Sequence, residues 1–249
     1  MEQSINNKDE LYQRRLTWEG CYNARDIGGY ATLDGHTTRW KTVLRADSPN
    51  ELTSAGQRLL LAYPVRTIID LRRTTELRRA PSIFVDGRGV RYLNISLLED
   101  ERKAREAQSL QRLYSLTLET CQEPIKQVLQ FMATEDIFPC IVHCTIGKDR
   151  TGLMIALLLS IANVPMDTIA TDYALSEQYL VPLLTAMRAR LAEEGQDVSR
   201  FEWLMPAHAE TMYATLTYLA QRYGSVKDYL LHIGLTQAQL DRLHTILVE

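Results

Sequence analysis

Apolar residues fall into short runs separated by polar stretches, and the spacing inside each run predicts an element. VRTIIDLR (65–72) and FPCIVHC (138–144) are compact and apolar, the pattern of strands buried on both faces. GVRYLNISL (89–97) reads as another strand, and YATLDGHTTRWKTVLRAD (30–47) as two short strands around a turn at Asp34–Gly35. Helical spacing predicts a helix over TSAGQRLLLAY (53–63), capped by Thr53 or Ser54. Two more follow over ERKAREAQSLQRLYSLTLETC (101–121) and EPIKQVLQFMA (123–133). TGLMIALLLSIANV (151–164) is apolar nearly all round, which predicts a buried helix ended by Pro165. Beyond it the chain is mostly helical. Residues 166–215 read as a helical insertion or lid, and Thr236 with Gln239 forms a capping box for a last helix with Leu240, Leu243 and Leu247 on one face.

Strands alternating with helices imply an α/β domain with a central, mostly parallel sheet flanked by helices. No repeat or low-complexity tract divides the chain. Residues 1–14 read as a flexible polar lead and 15–249 as a single domain.

Composition narrows the classes. Hydrophobic residues make up 45% and charged residues 24% of 249, the proportions of a soluble globular protein. A net charge of -3 argues against a dedicated nucleic-acid binder but leaves room for a local basic pocket. Cys21, Cys121, Cys140 and Cys144 form no CxxC pair and no secretory framework, so reduced thiols are expected. The polar N-terminus has no apolar signal core and no stretch is long enough to span a bilayer. The expectation is a cytoplasmic protein, with export by a signal-free route compatible with the same sequence.

The most charged piece of chain between core segments is HCTIGKDRTG (143–152). It joins the strand ending at Cys144 to the buried helix beginning at Thr151. It therefore lies at the carboxyl edge of the sheet, where α/β folds place ligands. Amides at a helix N-terminus attract an anion, typically phosphate. Gly147 lets the loop curl, and Arg150 can hold two phosphoryl oxygens with its planar fork. Lys148 adds a second cation. Such a field favours a thiolate at Cys144, the form that acts as a nucleophile. His143 can orient the loop and the Thr151 hydroxyl can donate to the thiolate. A Walker A loop is ruled out by Val142 and Asp149, and a zinc site lacks a second ligand pair.

Cys144, five residues, then Arg150, with His143 before and Thr151 after, matches the HCx5R[ST] pattern of cysteine-dependent phosphatases. The fuller HCxxGKDRTG resembles the atypical bacterial protein tyrosine phosphatases. NARDIGGY (23–30), RADSPNEL (45–52), IIDLRRTTE (68–76), DYALS (172–176) and RYGSVKDYL (222–230) match that family's pattern in the same order. The resemblance implies a phosphatase fold and a phosphocysteine intermediate on Cys144. It implies phosphoryl oxygens held by Arg150 and the loop amides of Thr145, Ile146, Gly147, Lys148, Asp149 and Arg150, with no metal or other cofactor. It supports Asp149 as the acid that protonates the leaving oxygen, with Glu99 and Asp100 as alternatives further upstream. Asn23, Arg25 and Asp26 are expected to brace the loop from beneath.

The expected substrate is phosphotyrosine on a protein. A phosphoinositide is the alternative, because Lys148 can hold an additional ring phosphate, and dual specificity fits both. A non-catalytic phosphoprotein-binding module is the reading from another class. Arg72, Arg73, Arg78 and Arg79 read as a solvated helix face, and Cys140 offers a thiol that could trap an oxidised Cys144.

Overall fold

The computed structural model describes residues 13–87, 89–98, 107–134, 136–195, 197 and 202–249. Five strands make one sheet: β1 (Arg25–Asp26), β2 (Val43–Ala46), β3 (Thr67–Asp70), β4 (Arg91–Asn94) and β5 (Cys140–His143). Their order is β1-β2-β5-β3-β4, with β1 antiparallel to β2 and every other pairing parallel. The mostly parallel α/β architecture expected from the alternation of elements is therefore present. β5 is central, and its last residue, His143, sits opposite Ala46 of β2 and Asp70 of β3. The chain leaves all three strands at one level, so the segments after β2, β3 and β5 meet at one edge.

The helices are α1 (Ser54–Ala62), α2 (Thr74–Arg79), α3 (Leu110–Thr120), α4 (Gln122–Thr134), α5 (Asp149–Ile161), α6 (Met166–Tyr179), α7 (Val181–Glu193), α8 (Ala209–Tyr223), α9 (Val226–His232) and α10 (Gln237–Leu247). The strand pleat sorts the apolar runs into two cores. Leu44, Ile68 and Ile141 join Trp18, Leu60 and Phe84 on the α1 side. Val43, Ile69, Cys140 and Val142 face the larger helical core with α5 at its centre. α5 is buried on nearly every residue from Thr151 to Leu159, as its apolar sequence requires. Thr53 caps α1, and Thr236 with Gln239 forms the capping box of α10. Among the described residues no helix is long and apolar enough to cross a membrane.

Several expectations need revision. The turn at Asp34–Gly35 exists, and its arms are joined by an isolated bridge between Ala31 and Thr37 and by Thr32 N to His36 O and Thr38 N to Tyr30 O, but they form no full strand pair; Val43–Ala46 pairs instead with β1 and β5. α5 begins at Asp149, two residues earlier than predicted, and it ends at Ile161, while Pro165 caps α6. The stretch read as an insertion or lid divides in two. Ile169, Ala170 and Tyr173 of α6 are core, whereas Leu184 of α7 packs with Leu180 and Met205 over Ile146 of the 143–152 loop. Arg14, assigned to the lead, is held by Asp26 O and stacks on Tyr30; residues 1–12 lie outside the described residues. Arg72 is not solvated: it is buried and paired with Asp70, while Arg78 and Arg79 are exposed. Cys140 and Cys144 stand at the two ends of an extended run, about 13 Å apart at the rise of a strand, too far for a disulfide.

Candidate active site

The loop between β5 and α5 has its carbonyls turned outward, each held from outside. Cys144 O lies 2.9 Å from His143 Nδ1, and Thr145 O accepts from Ser48 N at 2.9 Å. Asn23 Nδ2 donates to Ile146 O and Gly147 O at 3.1 and 3.0 Å, and Arg45 Nη2 donates to Gly147 O at 2.8 Å. Lys148 O accepts from Gly152 N at 2.8 Å. Among the described residues no amide from Thr145 to Arg150 donates to a backbone carbonyl. Peptide planes with their carbonyls held outward direct their N–H groups inward, and this cradle continues into the N-terminus of α5. Gly147 has φ +67°, and a Cβ there would come within 2.3 Å of Ala46 O, so the curl requires glycine.

Arg150 follows in the first turn of α5. Its Nη1 and Nη2 donate to the two oxygens of Glu76 at 2.6 and 2.8 Å, and Nη2 also reaches Thr145 Oγ1 at 3.1 Å. Thr145 Oγ1 in turn donates to Glu76. Burial alone would raise the Glu76 carboxyl, but the Arg150 hydrogen bonds and charge outweigh it and hold Glu76 well below the usual carboxylate range. The end of the Arg150 fork is thus occupied. A phosphoryl group taking the Nε–Nη2 edge would share Nη2 with the Thr145 hydroxyl. Glu76 was not singled out from sequence, although IIDLRRTTE contains it. Within its own element Glu76 only accepts from Arg73 N and Nε, both at 2.9 Å; its contact with Arg150 is made across the fold.

Asp149 is the first residue of α5. Its Oδ1 accepts from Tyr114 Oη at 2.5 Å and lies 3.4 Å from Lys148 Nζ. Tyr114 Oη is 2.7 Å from Tyr173 Oη. Lys148 departs from expectation. Its side chain is fully buried, and its ammonium donates to Leu204 O, to Pro206 O at 2.9 Å and to Met205 O at 3.3 Å. The cation meant for a second phosphate faces protein carbonyls. Glu99 and Asp100 lie outside the described residues.

Beneath the loop lies a buried charge network. Arg25 donates to Asn23 Oδ1 at 2.5 Å and to Asp172 Oδ1 at 3.0 Å, and Arg45 donates to Asp172 Oδ2 at 2.7 Å. Burial would raise the Asp172 carboxyl, but Arg25 and then Arg45 hold it far below its ordinary value. Asn23 and Arg25 stand where bracing was expected. Asp26 does not: it accepts from Gly28 N, Lys41 N and Tyr63 Oη, away from the loop. A different carboxylate, Asp47, accepts from the amides of Tyr22 and Asn23 and so fixes Asn23. His143 is fully buried, and burial holds its ring towards the neutral form; Nε2 is 3.5 Å from Asp70 Oδ2. Among the described residues Thr151 Oγ1 is buried with no hydrogen-bond partner.

A loop of inward amides with a cysteine at its base and an arginine at its rim, on a parallel sheet, defines the class of cysteine-dependent phosphatases. The tyrosine phosphatase family matches residues 16–249, and the chain belongs to that family. Among its relatives is a tyrosine-protein phosphatase of Nostoc commune, 32% identical over 80% of this chain and 72% of that protein. Another is the triple specificity protein phosphatase PtpB of Mycobacterium tuberculosis, 25% identical over 92% of this chain and 97% of that protein.

Proposed function

We propose that this phosphatase hydrolyses phosphotyrosine on proteins through Cys144, Arg150 and Asp149. The outward-held carbonyls of the 144–148 loop carry the reading, because they leave its amides facing inward around one dianionic phosphoryl group. Arg150, fixed by Glu76, adds charge at the rim. Cys144 Sγ attacks phosphorus, the S–P bond forms and the bond to the leaving oxygen breaks. Asp149 gives that oxygen its proton. A water then attacks the phosphocysteine, Asp149 takes back a proton, and phosphate leaves with the thiolate restored. Thr151 Oγ1 donates to the sulfur as it regains charge.

The name of the mycobacterial relative includes triple specificity, and a phosphoinositide substrate remains the second reading for this chain. Phosphotyrosine stands first because the Lys148 ammonium is committed to the carbonyls of 204–206. α7, packed through Leu184 over Ile146, forms a cover beside the pocket and is part of the single domain we assign to 15–249.

The test is phosphate release from a phosphotyrosine peptide, a phosphothreonine peptide and a phosphoinositide under reducing conditions, with Cys144→Ser as control. Release from the peptide that vanishes in the variant is the expected result. Tight phosphopeptide binding without release by the wild type would replace the enzyme with a binding module.

A further inference from the structure

Two buried tyrosines stand behind Asp149, and nothing in the phosphate cradle calls for them. Tyr114 comes from α3 and Tyr173 from α6, with 0% and 1% of their surfaces exposed. Their rings meet edge to face, centroids 6.1 Å apart at 88°. Tyr173 is pinned against α5, where a Cβ on Gly152 would come within 2.9 Å of its ring. Both hydroxyls therefore have fixed places.

Each phenol has one proton to donate. A carboxylate oxygen only accepts, so Tyr114 Oη donates to Asp149 Oδ1 at 2.5 Å. Tyr114 Oη must then accept from Tyr173 Oη, 2.7 Å away. The direction runs from Tyr173 through Tyr114 to Asp149. Burial, then the nearby Asp149 charge, pushes both phenols well above their ordinary range, so they stay protonated donors.

From this geometry we infer that Tyr114, oriented by Tyr173, is a positioning residue for proton transfer: it occupies Asp149 Oδ1 and leaves Oδ2 to carry the proton to the leaving group. The inference rests on the reading of Asp149 as the acid. A proton on Oδ1 would require both phenols to reverse, and the Tyr173 hydroxyl would then point away from its one hydrogen-bond partner among the described residues. A proton on Oδ2 leaves the chain intact. In the reaction the Oδ2–H bond breaks, the proton joins the leaving oxygen as the P–O bond breaks, and charge appears on the carboxylate. The Tyr114 bond becomes charge-assisted at that moment, so it strengthens more in the transition state than in the ground state. Lys148 at the end of the loop and Arg150 on α5 also act on Asp149, while the charges of Arg45 and Glu177 act on Tyr173.

The experiment measures kcat/KM for aryl and alkyl phosphates whose leaving groups run from acidic nitrophenols to basic alcohols. Asp149→Asn is expected to lose about 100-fold with basic leaving groups and little with nitrophenols. Tyr114→Phe should show the same direction of dependence with about a 10-fold loss at the basic end, Tyr173→Phe a smaller version, and Tyr114→Phe should add nothing in the Asp149→Asn background. A purely structural role would lower every substrate equally. A uniform or absent loss in Tyr114→Phe beside a steep Asp149→Asn profile would overturn the positioning role alone. A flat Asp149→Asn profile would overturn the acid assignment and the inference with it. Tyr173→Phe keeps the Tyr114 bond and its ring, so it reports even if Tyr114→Phe folds poorly.

Discussion

Glu76 grips Arg150 with two hydrogen bonds and also takes one from Thr145, so one carboxylate orients two residues of the rim. Glu76→Ala should lower kcat/KM on a phosphotyrosine peptide by about 10- to 100-fold, chiefly through misplacement of Arg150. Because Glu76 is held below the usual carboxylate range, it is ionised across neutral and mildly acidic pH. The acid limb of a pH–rate profile should therefore survive in Glu76→Gln, and loss of that limb would contradict this assignment. Gly147 permits no exchange. With φ +67° and a Cβ 2.3 Å from Ala46 O, Gly147→Ala should cost about 1–3 kcal/mol of strain and leave little activity, read by urea unfolding and phosphate release. Cys144, Arg150 and Gly147 were legible because their chemistry depends on spacing within one loop. Glu76, Tyr114 and Asp172 were not, since their roles depend on which distant elements the fold brings to that loop.

At the scale of elements, α6 carries Asp172 under the loop and couples the helical layer to β1 and β2 through Arg25 and Arg45. Asp172→Ala would leave two arginines buried together without their counterion, a loss of about 3–5 kcal/mol on unfolding. The Asp172 carboxyl is depressed in the folded protein, so its stabilisation is present above the ordinary carboxylate range and disappears as pH falls through the depressed value. Stability measured by denaturant should thus change little from this group between pH 8 and about pH 5 and fall below about pH 4, and Asp172→Asn should weaken that acid dependence. The caps of α1 and α10 and the alternation of strands and helices were readable because both are local. α6 was misread as part of a lid because its buried face includes Asp172 and Ser176, polar residues whose partners lie on other elements. The 30–47 stretch was readable only in part: the turn and its bridged arms are local, but the partners of Val43–Ala46 are decided across the sheet, where β1 and β5 flank β2.

Across the whole molecule, Lys148 joins the phosphate loop to the segment leading into α8. Its ammonium takes the carbonyls of Leu204, Met205 and Pro206, while Met205 packs with Leu180, Leu184 and Ile146. The loop and the α7 layer thus share one polar and one apolar attachment. Lys148→Met keeps the apolar stem and removes the donor, leaving the carbonyls without it at about 1–3 kcal/mol for an unmet buried group. Hydrogen–deuterium exchange should then rise over α7 and over Leu204–Pro206, and stay unchanged in β3 and β5. The same variant separates two uses of this lysine. If its ammonium serves the 204–206 carbonyls, phosphotyrosine and phosphoinositide hydrolysis should change in parallel. Selective loss of phosphoinositide turnover with unaltered exchange in α7 would instead mean that Lys148 leaves those carbonyls to hold a second phosphate when substrate binds.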